Sequence, residues 1–259
     1  MKTGGMRRNC HVYELFSLAV CCLCLFGCGL EEYYVLEAPF RTYTTPNADT
    51  AYDGKYFDFV TNETENAAIS PSFNFLGTAV YYKIYNRYES IGTVTSALSS
   101  ANNSTEYSAA ATLLINTYKY RELGTASGTT TPLIASTGAD RRIYIRLTNY
   151  QTDSHYLAKI IVGYTGDSSV AGTWIPRREG NRYSFDFGRD GDNDSASKTL
   201  SSTDTDYNYS SSGFSSAYPD TYFVDMYALS VGRDTTYTTY YSKVLHLGTV
   251  AIDARTEDN

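Results

Sequence analysis

The chain has 259 residues and a formal net charge of −7 at pH 7, because 28 acidic residues outnumber 21 lysines and arginines. An acidic surface repels phosphate backbones, so this charge argues against a nucleic-acid-binding protein and against attachment to anionic lipid through a basic patch. Tyrosine occurs 26 times, and tyrosine and threonine favour half-buried strand surfaces, so the composition favours a β protein.

The beginning of the chain has the pattern of a bacterial lipoprotein export signal. Its positive charges are Lys2, Arg7 and Arg8. The uncharged stretch 15–26 has about 12 residues, the length of a signal core, whereas a membrane-spanning helix needs about 20. Leu25 and Gly27 stand where lipoprotein signal peptidase accepts an apolar and a small residue. We therefore expect removal of residues 1–27 and a lipid on Cys28.

All five cysteines lie in this first segment: Cys10, Cys21, Cys22, Cys24 and Cys28. Cleavage before Cys28 removes three positive charges and one negative charge and leaves 232 residues with a net charge of −9. The lipid-bearing cysteine would be the only one left, which excludes a disulfide or a cysteine-ligated metal. In an ordinary secretory signal, the alternative, these cysteines would be small apolar residues. The lipid predicts a place in the bacterial cell envelope, with the outer membrane as the expected membrane.

The stretch from the lipid to the first strong strand pattern is rich in Pro, Thr, Asn and Asp. Such composition buries little apolar surface, so residues 28–55 are predicted to be a tether, in which Tyr33–Glu37 can form an edge strand. The domain then extends over residues 56–253 and ends in a polar tail, residues 254–259.

Alternation of β-branched or aromatic residues with polar ones predicts the strands of an all-β sandwich. The predicted strands are 56–61, 80–85, 143–148, 159–164, 183–187, 222–230 and 243–252. In the third strand Ile143 and Ile145 face inward and Arg146 faces outward. A weak repeat between 56–59 and 184–187 leaves open whether the domain holds one sandwich or two.

One segment has helical rather than strand periodicity. The residues at helical spacing are Tyr107, Ala110, Ala111, Leu114 and Tyr118. Asn103 with Glu106 resembles a capping box and Gly124 suits a left-handed stop, so we expect an inserted α-helix around residues 104–122. A shorter helix containing Val94 and Leu98 is the weaker prediction.

Three segments, 77–86, 142–150 and 241–248, resemble blocks of spirochaetal lipoproteins of undefined function. The strand 222–230 is similar to the penultimate strand of fibronectin type III-like sandwiches. Together the resemblances imply an envelope lipoprotein with an immunoglobulin-like or fibronectin type III-like β-sandwich. They bring no catalytic residue or cofactor.

An acidic loop provides a weak metal candidate. Asp190, Asp192 and Asp194 alternate as calcium ligands do, but the Gly and Glu that complete an EF-hand loop are missing. Asp204 and Asp206 repeat the alternation, so a site shared by two loops is one interpretation. A solvated, flexible acidic loop is the other, and we assign no metal.

A single tryptophan marks the candidate binding surface. Trp174, Arg177 and Arg178 can form an exposed recognition patch, because Trp and Arg dominate many interfaces. The alternative is a half-buried residue that closes a sheet edge. Ser195 and Lys198 match the Ser-x-x-Lys motif of penicillin-binding enzymes, but the companion motifs are missing from the domain.

These features favour a non-enzymatic, lipid-anchored binding or interaction module, such as an adhesin. The partners expected are the membrane, through the lipid, and a protein or glycan ligand. A periplasm-facing structural or envelope-assembly lipoprotein is the alternative, and a carbohydrate-binding domain is a weaker one. A hydrolase with carboxylates from distant loops would leave no local motif.

Overall fold

A large antiparallel sheet built on two long strands organises the protein. The computed structural model describes residues 33–128, 130–150, 154–165, 174–188 and 195–253. Cys28, Asp190, Asp192 and Asp194, the signal 1–27 and the tail 254–259 lie outside these residues. Strands account for 33% and helices for 16% of the described residues, so the predicted mainly β fold is confirmed.

The described strands are β1 (Phe57–Val60), β2 (Phe73–Tyr85), β3 (Arg121–Glu122), β4 (Gly124–Thr125), β5 (Ile134–Ala135), β6 (Arg142–Arg146), β7 (Lys159–Val162), β8 (Pro176–Arg177), β9 (Tyr207–Asn208), β10 (Thr221–Asp234), β11 (Thr239–Tyr241) and β12 (Leu245–Asp253). The described α-helices are α1 (Glu63–Ala67), α2 (Glu89–Asn102) and α3 (Ala109–Thr112), which continues as a π-helical turn, Leu113–Thr117. Short 3-10 helices lie at Tyr52–Gly54 and Ser154–Tyr156.

In the large sheet, β2 and β10 pair antiparallel along almost their whole lengths. Strands β12 and β11 pair with the outer side of β10, whereas β3, β5 and the parallel β9 pair with the outer side of β2. The pairing of β5 requires Gly77, because Gly77 has φ +136° and a Cβ there would overlap the Ile134 carbonyl oxygen. The glycine therefore lets a third chain segment approach the centre of β2.

A small sheet with the order β1-β6-β7 packs its apolar face on the large sheet. The small sheet contributes Phe57, Phe59, Ile143, Ile145 and Ile160, and the large sheet contributes Val80, Tyr82, Ile84, Val224, Met226 and Val250. The period of two along each strand places these side chains on one face. The main core is therefore the space between two sheets.

The helices cover the opposite face of the large sheet. Helix α2 contributes the buried Ile91, Val94 and Leu98, and α3 with its π-helical turn contributes Ala110, Ala111 and Leu114. These side chains pack on Tyr81, Tyr85, Phe223, Tyr227 and Leu229 of β2 and β10. The described residues therefore form three layers: small sheet, large sheet and helices.

The predicted helix around residues 104–122 was wrong in its bounds. The helical segment ends at Thr117, where Lys119 adopts a left-handed φ of 56°, and Arg121–Glu122 pairs with β2 instead. Gly124 is not the helix stop, because it lies in β4. The helix that contains Val94 and Leu98, the weaker of the two predictions, is the longer helix in the structure. These residues lie in α2, where their burial on the sheet outweighs the low helix propensity of Ser and Thr.

Six of the seven predicted strands coincide with observed ones, and the segment 183–187 does not. Phe185 and Phe187 are both buried in the core, as their alternation predicts, but Phe187 has a left-handed φ of 59°. The segment instead bonds to a loop, since the Ser184 N–H donates to the Ala196 carbonyl. The alternation therefore predicted burial correctly and strand pairing wrongly.

The tether prediction is wrong from Val35 onward, because the described residues from there on belong to one compact unit. Leu36 is 1% exposed, and no strand forms over residues 33–37. The Thr249 N–H donates to the Pro46 carbonyl at 3.0 Å, and Arg41 Nη1 donates to the His246 carbonyl at 2.8 Å. Hydrogen bonds to the sheets and the burial of Leu36 together order this segment.

Arg146 attaches the end of that segment to the small sheet. It points away from the core, as predicted, yet it is only 1% exposed. Its guanidinium donates to Tyr144 Oη at 2.8 Å and to the carbonyls of Tyr52 and Asp53 at 2.7 and 2.9 Å. The rings that surround it, centred 5.3 to 5.8 Å away, are those of Tyr56, Tyr144, Tyr150 and Tyr156.

Candidate functional site

A fully buried arginine lies at the edge of the large sheet, directly after β8. Arg178 is 0% exposed, and its Nε and Nη2 donate to the two carboxylate oxygens of Asp206 at 2.8 and 2.9 Å. Nη2 also donates to Asp204 Oδ2 at 3.2 Å. Two parallel bonds fix a guanidinium and a carboxylate in one plane. Arg178 therefore holds the loop that carries both aspartates against β8.

Tyr82 of β2 completes the buried end of this network. Its hydroxyl donates to Asp206 Oδ2 at 2.8 Å and accepts the Glu179 N–H at 3.0 Å. Burial, and then the negative charge of Asp206, raise the pKa of Tyr82 well above its ordinary value. The neutral phenol consequently serves as a fixed bridge between strand and loop.

Lys198 lies at the solvent-facing end of this network. Its Nζ lies 2.8 Å from Asp204 Oδ1 and 3.9 Å from Glu179 Oε2. The hydrogen bond with Asp204 raises the pKa of Lys198. Burial alone would raise the pKa of Asp204, but the bonds from Lys198 and the Ser201 N–H bring it below its ordinary value. Lys198 and Asp204 therefore form an ion pair at the exposed end of the network.

A turn of three left-handed residues positions Glu179 beside this network. Glu179, Gly180 and Asn181 have φ values of 47°, 64° and 76°. Asn181 Oδ1 accepts the Thr125 N–H at 3.1 Å, and a Cβ at Gly124 would overlap that same oxygen. Such backbone conformations persist only where neighbouring contacts enforce them. The close approach of Gly124 therefore holds the turn, and with it Glu179, in place.

The network forms one wall of an open groove with a volume of about 670 Å³. The groove is lined by Arg121, Glu122, Leu123, Gly124, Glu179, Gly180, Thr203, Asp204 and Thr205. Its three carboxylates outnumber its one arginine, and burial raises the pKa of Glu122. A groove with this lining can accept hydrogen bonds from hydroxyl, amide or amine groups of a ligand.

Three carboxylates approach one another closely enough to hold a metal ion. One oxygen each from Glu179, Asp204 and Asp206 lie within 4.8 Å of one another. However, Arg178 and Lys198 already bond to the two aspartates. A cation would have to displace these pairs, so the donor set does not fit calcium. The predicted ligands Asp190, Asp192 and Asp194 lie outside the described residues.

The predicted recognition patch is not assembled as an exposed surface. Trp174 is half-buried, packs against the main core and exchanges backbone hydrogen bonds with Ile160 at the edge of the small sheet. Arg177 lies half-buried in β8 and pairs with Gly124. The prediction that Arg178 is exposed is wrong, because Arg178 is fully buried and its guanidinium bonds to Asp206. The structure favours the half-buried alternative for Trp174.

A second buried carboxylate lies on the helix-covered side of the large sheet. Asp225 accepts hydrogen bonds from Tyr120 Oη at 2.7 Å and Thr249 Oγ1 at 2.7 Å, and His246 Nε2 lies 2.8 Å away. The ring of His246 also lies on Tyr227, with centroids 4.7 Å apart. This cluster joins β10 to β12 and to the segment after α3.

Sequence reasoning missed the groove and the roles of Glu179, Lys198 and Tyr82. Asp204 and Asp206 were noticed for their alternation, but their arginine precedes them by 26 to 28 residues. No local spacing connects a side chain with a partner at that separation. The signal that the sequence does contain is the closely spaced pair Asp204 and Asp206, because two buried carboxylates need cationic partners.

No protein-family model, curated protein or solved structure matches the chain. The resemblance of 77–86, 142–150 and 241–248 to spirochaetal lipoproteins therefore stays a prediction. Within the part of the chain that the structure describes, every helix falls short of the length and apolar character needed to cross a membrane.

Proposed function

We propose that the protein is a non-enzymatic binding module anchored in the cell envelope by a lipid on Cys28, and that the groove beside Arg178 receives its ligand. The observation that carries the proposal is the network of ion pairs and hydrogen bonds that fixes the carboxylates of the groove. Asp204 bonds to Arg178 and Lys198, and the Glu179 N–H donates to Tyr82 Oη. A rigid charged wall of this kind suits recognition.

The ligand in this proposal is a protein segment or a glycan. Three carboxylates and the threonine hydroxyls of Thr203 and Thr205 can satisfy hydroxyl, amide or amine donors along the groove. The acidic charge of the chain disfavours nucleic acid. The two facing antiparallel sheets support an immunoglobulin-like sandwich to which the helical layer has been added.

The anchor is tested by labelling cells with a fatty acid that carries a click-chemistry handle and by separating membranes from soluble protein. The wild type is expected to carry the label and to fractionate with the outer membrane, whereas Cys28→Ala should lose the label. Cys24→Ala is the matched control and should keep it. Label retained by Cys28→Ala would overturn the assignment of the anchor.

The groove is tested by screening glycan and envelope-protein arrays with wild-type protein and with two variants. Thr205→Trp fills the groove and is expected to lose binding, while Thr93→Trp, on the exposed side of α2, should bind as the wild type does. Equal binding by both variants would exclude the groove. Proteolysis of intact cells distinguishes the orientations, because a protected domain supports the periplasm-facing alternative.

A further inference from the structure

Strand β3 has one edge paired with β2 and one edge that faces the groove beside Arg178. Glu122 lies opposite Tyr81, and the next residue, Leu123, donates its N–H to the Val80 carbonyl at 2.8 Å. Along an antiparallel strand, residues that exchange hydrogen bonds with the partner alternate with residues that do not. Because Leu123 bonds to β2, the N–H and carbonyl of Glu122 point away from β2. Glu122 also lines the groove, so these two backbone groups are directed toward it.

The chain on that side of β3 leaves the ladder just before it reaches Glu122. Gly124 pairs with Arg177 in the antiparallel ladder of β4 and β8, and the same register would place Glu179 opposite Glu122. Glu179 instead has a left-handed φ of 47° and donates its N–H to Tyr82 Oη, so β8 ends there. Within the part of the chain that the structure describes, no hydrogen bond reaches the N–H or carbonyl of Glu122. One position of the ladder therefore has no partner.

The charges at this position are complementary to a basic ligand. The groove and its buried wall hold four carboxylates and three cations, namely Glu122, Glu179, Asp204 and Asp206 with Arg121, Arg178 and Lys198. Arg178 and Lys198 lie close to every one of these carboxylates except that of Glu122. Among the described residues Glu122 has no ion pair, although it is half-buried and burial raises its pKa. The excess negative charge therefore belongs to Glu122, and it matches one lysine or arginine.

We propose that the groove binds an extended peptide segment as a short antiparallel strand added to β3, with a lysine or arginine of that segment opposite Glu122. The inference rests on the proposed function of the groove and names its ligand as a protein segment rather than a glycan. In this register the basic residue exchanges two backbone hydrogen bonds with Glu122. Its side chain then lies beside the Glu122 carboxylate, because directly opposed residues have Cβ atoms about 5 Å apart on one face.

The rest of the groove supports the outer edge of such a strand. Thr203 and Thr205 line the groove and are exposed. Their hydroxyls can donate to or accept from peptide groups that point away from β3. Because only Glu122 offers both of its backbone groups, main-chain bonds alone select no particular sequence. The ion pair with its carboxylate therefore decides which segments bind.

The test measures fluorescence polarisation of a labelled, end-capped peptide, Thr-Val-Lys-Val-Thr, with the full chain in detergent micelles. Norleucine in place of the lysine keeps the apolar stem and removes the charge, and we expect it to weaken binding about fivefold. Methylation of the lysine backbone nitrogen removes one hydrogen bond of the strand pair and should weaken binding about tenfold.

Three protein variants locate the peptide. Glu122→Gln should bind the lysine and norleucine peptides equally, because it removes the carboxylate and keeps the strand edge. Glu65→Gln, which changes an exposed carboxylate of α1, is the matched control and should keep the fivefold preference for lysine. Thr205→Trp fills the groove and should bind neither peptide.

The outcomes separate this inference from the proposed function. Wild-type protein that does not bind the lysine peptide, binding that backbone methylation leaves unchanged, or a lysine preference that survives Glu122→Gln would each overturn the strand addition. Glycan binding that Thr205→Trp abolishes, without any peptide binding, would overturn the inference and leave the proposed function standing. Ligand binding that Thr205→Trp leaves unchanged would overturn both.

Discussion

Two buried arginines, Arg146 and Arg178, are almost equally hidden from water and are satisfied in opposite ways. Arg146 donates to a phenol oxygen and to backbone carbonyls and lies among tyrosine rings. Arg178 bonds to the carboxylates of Asp204 and Asp206. A guanidinium among neutral oxygens orders a chain segment, whereas one among carboxylates makes it possible to bury acids. Arg146 therefore stabilises the fold, whereas Arg178 positions the carboxylates beside the groove.

Removal of Arg178 should have the largest effect, because Arg178→Leu leaves Asp206 as an uncompensated buried charge. Breaking a buried pair in this way costs about 3–5 kcal/mol. Urea unfolding at neutral pH is expected to show that loss in the free energy of unfolding. Arg182→Leu, in the same turn, is the control, and its loss should be under about 1 kcal/mol. A loss for Arg178→Leu no larger than that of Arg146→Leu would contradict the comparison.

Two ion pairs beside the small sheet extend the comparison to acids. Glu63 accepts the N–H of Thr137 at 2.6 Å as well as two bonds from Arg141. Burial opposes its ionisation, but these hydrogen bonds bring the pKa of Glu63 below its ordinary value. Asp58 bonds to Arg142, and burial outweighs this cation and raises the pKa of Asp58. Hydrogen bonds and the cation together outweigh burial at Glu63, whereas burial outweighs them at Asp58, so the two pKa values move in opposite directions.

The second prediction follows from these opposite directions. Glu63→Gln should cost about 2–3 kcal/mol at pH 7. Because the folded pKa is lowered, that stabilisation is fully present above the unfolded pKa, about 4.3, and is lost as the pH falls through the folded pKa. For Asp58 the folded pKa is raised, so acidification through it favours the folded state, and the advantage of wild type over Asp58→Asn should grow. Urea unfolding across this pH range checks both slopes, and parallel slopes would refute the prediction.

Arg146→Leu should have a smaller effect, because it leaves carbonyl groups rather than a charge without a partner. We expect a loss of about 1–2 kcal/mol in the free energy of unfolding. The loss should be local, so hydrogen exchange should accelerate for residues 52–55 before it changes in β10. Arg146→Lys keeps the charge but not the fork of donors, and should rescue the loss only in part. Uniform acceleration over the whole domain would contradict the local role.

Lys198→Met should have the smallest effect. The Lys198 side chain is 30% exposed, and exposed pairs contribute about 0–1 kcal/mol. The variant should unfold within about 1 kcal/mol of wild type, while NMR titration should show the pKa of Asp204 moving up. An unchanged Asp204 pKa would mean that Arg178 and the Ser201 N–H set it alone.

The pattern of apolar residues predicted which side chains are buried better than it predicted what they pair with. Ile143 and Ile145 alternate with Arg146, and the strand and its inward face are both observed. Phe185 and Phe187 alternate in the same way and are buried without forming a strand, and the neighbouring Ser184 N–H donates to the Ala196 carbonyl of a loop. Periodicity in the sequence indicates which face of a segment is buried, whereas the strand or loop that the segment pairs with depends on the tertiary structure.

The groove could not be derived from the sequence because its parts come from three distant segments. Arg121, Glu179 and Asp204 each have ordinary local surroundings in the sequence. Only the sheet brings them together. The docked segment after Val35 was missed for a related reason, since the Pro46 carbonyl accepts the Thr249 N–H of β12, a partner far away in the sequence.

The pairing of β2 with β10 has a consequence for biogenesis. Residues joined in this central ladder lie between 138 and 161 positions apart in the chain. Closing such long loops is slow, and it cannot begin until the later strand has been synthesised. The sheet therefore stays unfinished until the last part of the chain has been made, which would keep the chain in the unfolded form that a translocation channel requires if the proposed export takes place. A message truncated before residue 221 would yield a product whose 13-residue β2 presents an open edge to aggregation.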